Sequence, residues 1–188
     1  MKKFYLPLLF AGFVGSAFAQ SLGKVGSEAP TVRDFDYFRD AFNAVQEAID
    51  KGLILAGHDI SAGGMITALL EMCFANVEGG LEVDLNAIAE EDIVKILFAE
   101  NPGVLVQVKE KSVFEKQMRA AGIGFARIAR PTDERHLIVT KDDTTYHFGI
   151  DYMRDVWYKS SYLLDMRQSG NECAGNRYEN YKMQPLEY

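Results

Sequence analysis

The chain has 188 residues and a mass of 21.1 kDa, the size of one domain or of one domain with a tail. Its 48% hydrophobic and 25% charged residues exclude a disordered chain, and at this length roughly 70% of the unfolded surface can be buried without a disulfide or metal staple. Twenty basic against 27 acidic residues give a net charge of −7, which excludes bulk attraction to nucleic acid or an anionic membrane.

An anionic ligand must then be held locally, by backbone N–H groups or a bound cation. The first segment reads in two ways. Met1-Lys2-Lys3, the apolar run from Phe4 to Phe18, and Ala17-Phe18-Ala19 before Gln20 follow the grammar of a secretory signal peptide. The same letters suit a buried strand leading into a glycine turn and a helix. The run is too short and too rich in Gly and Pro for a membrane span.

Residues 23–32 read as a loop, after which Thr31 or Asp34 caps a helix with Phe35, Phe38, Phe42, Val45 and Ile49 at helical spacing and Gly52 as its stop. Leu53 to Ala56 is a short strand that runs into the loop Gly57-His58-Asp59-Ile60-Ser61-Ala62-Gly63-Gly64. The apolar density from Met65 to Asn76 predicts a buried helix. Leu81, Val83 and Leu85 alternate as a strand does, Glu90 to Glu100 is a short helix, and Gly103 to Val108 is again a strand. Ser112-Val113-Phe114-Glu115 has the capping-box spacing and opens a helix that ends at Gly122. Three strands follow, Ile123 to Ala129, His136 to Thr140 and Thr144 to Phe148, the last two joined by a turn at Lys141-Asp142-Asp143. A helix from about Asp151 to Arg167 carries Met153, Val156, Trp157, Leu163 and Leu164, and Gln168 to Tyr188 reads as a polar linker or tail. These elements predict an α+β fold, with helices on one face of a mainly antiparallel mixed sheet.

Chemistry concentrates between Ala56 and Gly64. Glycines admit a ligand to the backbone, a helix N-terminus offers free N–H groups, Asp59 suits a Mg²⁺ ion that bridges phosphates, and Ser61 can donate to a phosphate oxygen. The bland alternative is that Asp59 and Ser61 cap the helix while the glycines make the turn. The spacing matches neither the Walker nor the dinucleotide fingerprint. Structural roles are favoured for His58, His136 and His147. Cys73 is expected to be packed and inert, and Cys173 lies near no local His or basic cluster that would make it a nucleophile. Trp157, Tyr158 and Tyr162 read as a helix-packing stripe, and Glu90-Glu91-Asp92 as a solvated helix start.

Leu55-Ala56-Gly57-His58-Asp59-Ile60-Ser61-Ala62-Gly63-Gly64, with Leu69-Leu70-Glu71-Met72 and Phe74-Ala75 after it, resembles the large form of phosphoribosylformylglycinamidine synthase. The resemblance extends through Gly15 to Gly23, Glu100-Asn101-Pro102-Gly103-Val104-Leu105-Val106-Gln107-Val108, Trp157 with Ser160-Ser161-Tyr162, and Asn171-Glu172-Cys173-Ala174, covering about residues 13 to 180. That family is the ATP- and glutamine-dependent carbon–nitrogen ligase of purine biosynthesis, built from two tandem units like aminoimidazole ribonucleotide synthetase and a glutamine amidotransferase domain. The resemblance implies the C-terminal half of the second unit: residues 1–22 a stub of the preceding subdomain, 23–150 the C-terminal domain, and 151–188 a helix and linker towards the glutaminase.

It further implies that Asp59 binds Mg²⁺ and Ser61 contacts ATP or ADP at an auxiliary, mainly structural site, with no catalytic residue in this piece. Alone the piece is expected to be inactive, its partners being the nucleotide and the remaining domains of the synthase, without nucleic acid or membrane. Ala62 departs from the family, which commonly has an acidic residue there, and residues 1–12 follow it poorly. The family pattern runs unbroken across Ala19-Gln20, which favours a cytoplasmic chain over the alternative, an exported α+β binding protein with a cleaved signal peptide. Apolar surface that meets the missing subdomain is expected to be exposed and to drive self-association.

Overall fold

The computed structural model describes residues 6–10, 32 and 34–181. Among the described residues seven strands and six helices follow one another: β1 (Leu6–Phe10), α1 (Phe35–Asp50), β2 (Ile54–Ile60), α2 (Gly64–Phe74), β3 (Gly80–Asp84), α3 (Ile93–Phe98), β4 (Gly103–Val108), α4 (Lys111–Ala120), β5 (Phe125–Thr132), β6 (His136–Lys141), β7 (Thr144–Gly149), α5 (Ile150–Ser169) and α6 (Asn171–Asn180). The strands form one sheet in the order β2-β4-β1-β5-β3-β6-β7. Every pairing is antiparallel except that of β3 with β6.

The α+β class with a mainly antiparallel mixed sheet is as expected, but the helices do not share one face. Side chains alternate along a strand, and the β4 sequence uses both sides. Leu105 packs with Met65, Leu69 and Cys73 of α2 and with Leu97 of α3, whereas Val106 and Val108 pack with Ala44 and Ala48 of α1 and with Phe114 and Met118 of α4. A strand apolar on both faces needs cover on both.

β1 lies between β4 and β5, third in the sheet. Pro7 cannot donate to a ladder, and the register with β5 shifts between Leu6 and Pro7. Two expectations change with this strand. The division at residue 22 does not separate the sheet, since Leu6–Phe10 is an interior strand of it. Loss of Met1 to Ala19 would also remove that strand, so the exported alternative gains no support. The remainder of the signal-like segment, and the loop read at 23–32 apart from residue 32, lie outside the described residues. Among the described residues, no helix is long and apolar enough to cross a membrane.

Asp34 caps α1, its carboxylate accepting from the Tyr37 N–H at 2.9 Å, and Gly52 closes the turn after it with φ of 64°. The expected phenylalanine stripe is not the buried one. Ala44 and Ala48 face the sheet because small side chains let the helix approach closely, and Phe35, Phe38 and Phe42 are left exposed. The capping box at Ser112 does not form: the N-cap is Glu110, two residues earlier, with no side-chain cap. The described part of the expected linker, up to residue 181, is largely helical, for α6 folds back on α5. Tyr158 stacks on Tyr181 (centroids 4.2 Å apart), Tyr162 stacks on Tyr178 (4.4 Å), and Arg177 binds Asp165. Those aromatic contacts are tertiary, so polar composition alone conceals the helix. Trp157 and the tyrosines do serve helix packing, as expected.

Candidate functional site

Gly57, His58 and Asp59 continue β2 instead of forming a loop, paired in register with Val106, Leu105 and Val104 of β4. Alternation starts the two side chains toward opposite faces, but at this sheet edge the His58 ring still comes within 3.8 Å of the Asp59 carboxylate, Nδ1 to Oδ1. His58 shares the Leu105 face, under α2. Asp59 shares the Val104 face and lines a cavity of about 340 Å³ with Phe38, Phe42, Val45, Ile60 and Pro102. Its side chain is 74% exposed, so the carboxylate stands in water at an apolar opening.

A tight turn follows, with the Gly64 N–H donating to the Ser61 carbonyl at 3.1 Å. Ser61 is exposed on this turn. Neither Asp59 nor Ser61 caps α2: its N-cap is Gly63, in the left-handed region at φ 86°, without a side-chain cap bond. The capping alternative is therefore replaced by another arrangement. Glu100, at the foot of β4, accepts from the Gly63 N–H through Oε1 at 2.7 Å. A carboxylate already holds the amide that a phosphate would seek at this helix start, so a nucleotide phosphate is better served by a cation on Asp59.

The residues fit such a cation in a limited way. Among the described residues there is no cluster of three or more His, Cys, Asp or Glu side chains able to hold a metal. Mg²⁺ commonly takes one or two protein carboxylates and fills its shell with water and phosphate oxygens, and Asp59 supplies one such carboxylate with open access.

Behind the site runs a polar chain that sequence spacing does not reveal. The Trp157 indole donates from Nε1 to Glu71 Oε1 at 2.7 Å. Glu71 Oε2 lies 3.0 Å from His58 Nε2, and His58 Nδ1 lies 2.7 Å from the Asp59 carbonyl, which can only accept. His58 thus has a definite structural role. His136 and His147 are exposed on β6 and β7, away from it. Cys73 is buried in the main core, and burial pushes its thiol up to about 11, against a smaller lowering by the Arg135 charge, which accounts for an inert cysteine. Cys173 is exposed on α6.

Glu71, Glu100 and the indole N–H are the participants that sequence reasoning misses. Glu100 is 37 residues from Gly63 in the chain, and Trp157 is 86 from Glu71. Glu71, a lone acid on an otherwise apolar helix, is the one signal the sequence offers.

Comparison with known proteins bears on family and fold. The chain is 33% identical over 174 residues to a chloroplastic/mitochondrial phosphoribosylformylglycinamidine synthase of Arabidopsis thaliana, a match covering 89% of the chain and 12% of that protein. It is 30% identical over 166 residues to phosphoribosylformylglycinamidine synthase of Homo sapiens, covering 85% of the chain and again 12% of the relative. The chain thus spans about an eighth of these curated relatives' length. Among solved structures, T. maritima PurL complexed with FGAR superposes with a TM-score of 0.63 at 18% identity, over 81% of the chain and 28% of that structure. T. maritima PurL complexed with ATP gives 0.60 at 17% identity, over 80% and 25%. At such identities the superposition shows a shared fold. The family described as "AIR synthase related protein, C-terminal domain" matches residues 5–142, from the first strand of the sheet through the sixth, and the chain belongs to that family.

Proposed function

We propose that this chain is a piece of phosphoribosylformylglycinamidine synthase, the ATP- and glutamine-dependent amidoligase of purine biosynthesis. In it the chain supplies scaffold and, through Asp59 and Ser61, part of an auxiliary Mg²⁺–nucleotide site. The observation that carries the reading is the placement of Asp59: an accessible carboxylate at an apolar opening, next to an exposed serine, in a chain whose relatives bear that enzyme's name. Ligase activity, with glutamine as nitrogen donor, belongs on this reading to the complete synthase in the cytoplasm. This piece alone does not catalyse it.

Calorimetry with ADP and Mg²⁺ tests the site. The wild-type chain is expected to bind saturably only when Mg²⁺ is present, and Asp59→Asn is expected to weaken binding at least roughly tenfold, because the amide cannot replace a charged metal ligand. Equal binding by both proteins removes Asp59 from the role. Absence of binding by the wild type leaves the chain a scaffold.

The remaining domains of the synthase are the proposed partners. Phe35, Phe38 and Phe42 on α1, and Tyr152, Val156, Leu163 and Leu164 on α5, are exposed apolar side chains of the kind a neighbouring domain covers. Without that cover the isolated chain is expected to self-associate and to bind an apolar dye, which analytical ultracentrifugation and dye fluorescence check. A monomer that binds no dye counts against the reading.

A further inference from the structure

Among the described residues β2 is an edge strand, held by β4 on one side and by no described strand on the other. Edge strands are where local opening is easiest, yet this one carries the carboxylate on which the proposed site depends. Its restraint comes from the side. His58 is half-buried under α2 and reaches the carbonyl of its neighbour Asp59, Glu71 holds His58, and Trp157 of α5 holds the other oxygen of Glu71. The indole also leans on Phe74 of α2, ring centroids 5.6 Å apart, which fixes the donor's direction. Three separate elements, β2, α2 and α5, therefore meet in one continuous chain of polar contacts ending on the peptide of Asp59.

Each link has a chemistry suited to transmission. Two carboxylate oxygens of one residue serve two different partners, so a shift of His58 rotates the group that the indole binds. Asp59 and His58 are adjacent in a strand, and His58 Nδ1 lies 2.7 Å from the Asp59 carbonyl oxygen and 3.8 Å from its carboxylate, so a load on the Asp59 side chain reaches His58 through both groups. We propose that Glu71 is a positioning residue that couples Asp59 to Trp157, so that filling of the site at Asp59 is registered in helix α5. This rests on the Mg²⁺–nucleotide reading of Asp59.

Trp157 is the chain's one tryptophan, which makes its fluorescence a direct readout. Titration of the wild-type chain with Mg²⁺ and ADP is expected to shift Trp157 emission with the same midpoint as the heat of binding. Glu71→Gln keeps the size of the side chain and an acceptor for the indole, but loses the charge that faces His58. It is expected to bind roughly tenfold more weakly, the size of one charge-assisted hydrogen bond, and without an emission change. Wild-type binding with unchanged emission overturns the coupling and leaves the site reading intact, as does a Glu71→Gln protein that keeps both responses.

If the wild-type chain gives no heat with Mg²⁺ and ADP, the site reading fails for this chain and the coupling is decided without nucleotide. Amide exchange over Gly57–Ile60 is then compared between wild type, Glu71→Gln and Trp157→Phe. Exchange roughly tenfold faster in both variants, with β6 and β7 unchanged, upholds the link to Asp59. Equal rates overturn it.

Discussion

Gly64→Ala is expected to destabilise the chain by about 3 kcal/mol or more, the combined size of a strained left-handed backbone and an unrelieved clash. Gly64 has φ of 76°, which side-chain-bearing residues rarely adopt, and a Cβ there would stand 2.6 Å from the Leu97 carbonyl oxygen and 2.7 Å from two backbone atoms of Phe98. Backbone atoms cannot rotate aside, so α2 or α3 would have to move. Both cover the core behind Leu105, and α2 follows directly on the Ser61 turn. Gly122→Ala is the matched control: φ is 71° and nothing lies within 4 Å, so about 1 kcal/mol of conformational cost is expected. Urea denaturation of the two variants separates the terms. Equal losses would mean that the close approach of α2 to α3 contributes nothing.

Phe114→Ala is expected to cost about 4 kcal/mol, as large-to-small changes at fully buried aromatics do. Phe114 is 0% exposed and is the largest side chain of the smaller core, among Ala44, Ala48, Val106, Val108, Met118 and Ile123. Its fully buried neighbours on α1, Ala44 and Ala48, cannot extend to refill the space. Phe42→Ala, one helix away but 57% exposed, is expected to stay within about 0.5 kcal/mol of wild type. Comparable losses for the two would place Phe42 against a surface of this same chain. Thermal melts of both proteins give the answer.

These contrasts also mark what the sequence conveys. Local pattern is readable where one residue type has one physical consequence. Gly103–Val108 is a strand with the bounds expected, the hairpin of β6 and β7 turns where Lys141-Asp142-Asp143 places it, and Asp34 and Gly52 delimit α1. Asp142 takes the left-handed φ of 51° that an aspartate tolerates in such a turn. The family resemblance draws attention to Asp59 and Ser61, and the structure puts both at an accessible edge.

Local pattern misleads where several structures share one signal. Ser112 and Glu115 have capping-box spacing, but α4 starts earlier and encloses them. The glycine after Ala56 reads as the start of a loop, whereas Gly57 is extended strand, its would-be Cβ in ordinary contact with the Leu105 carbonyl oxygen and Val106. A polar, tyrosine-rich tail reads as a linker until its aromatic rings find those of α5.

The sequence by itself determined most of the strands and helices to within a few residues at their ends, and which motif resembles a known site, because those depend on residues within a turn or two of one another. Tertiary structure alone decided that a signal-like run supplies an interior strand, that β3 and β6 run parallel, that α1 buries its alanines and leaves its phenylalanines bare, and that Trp157, Glu71 and His58 meet behind Asp59. Each of those outcomes is set by surfaces brought together from distant parts of the chain. Burial and hydrogen bonding reward such contacts only once the sheet exists to hold both sides in place.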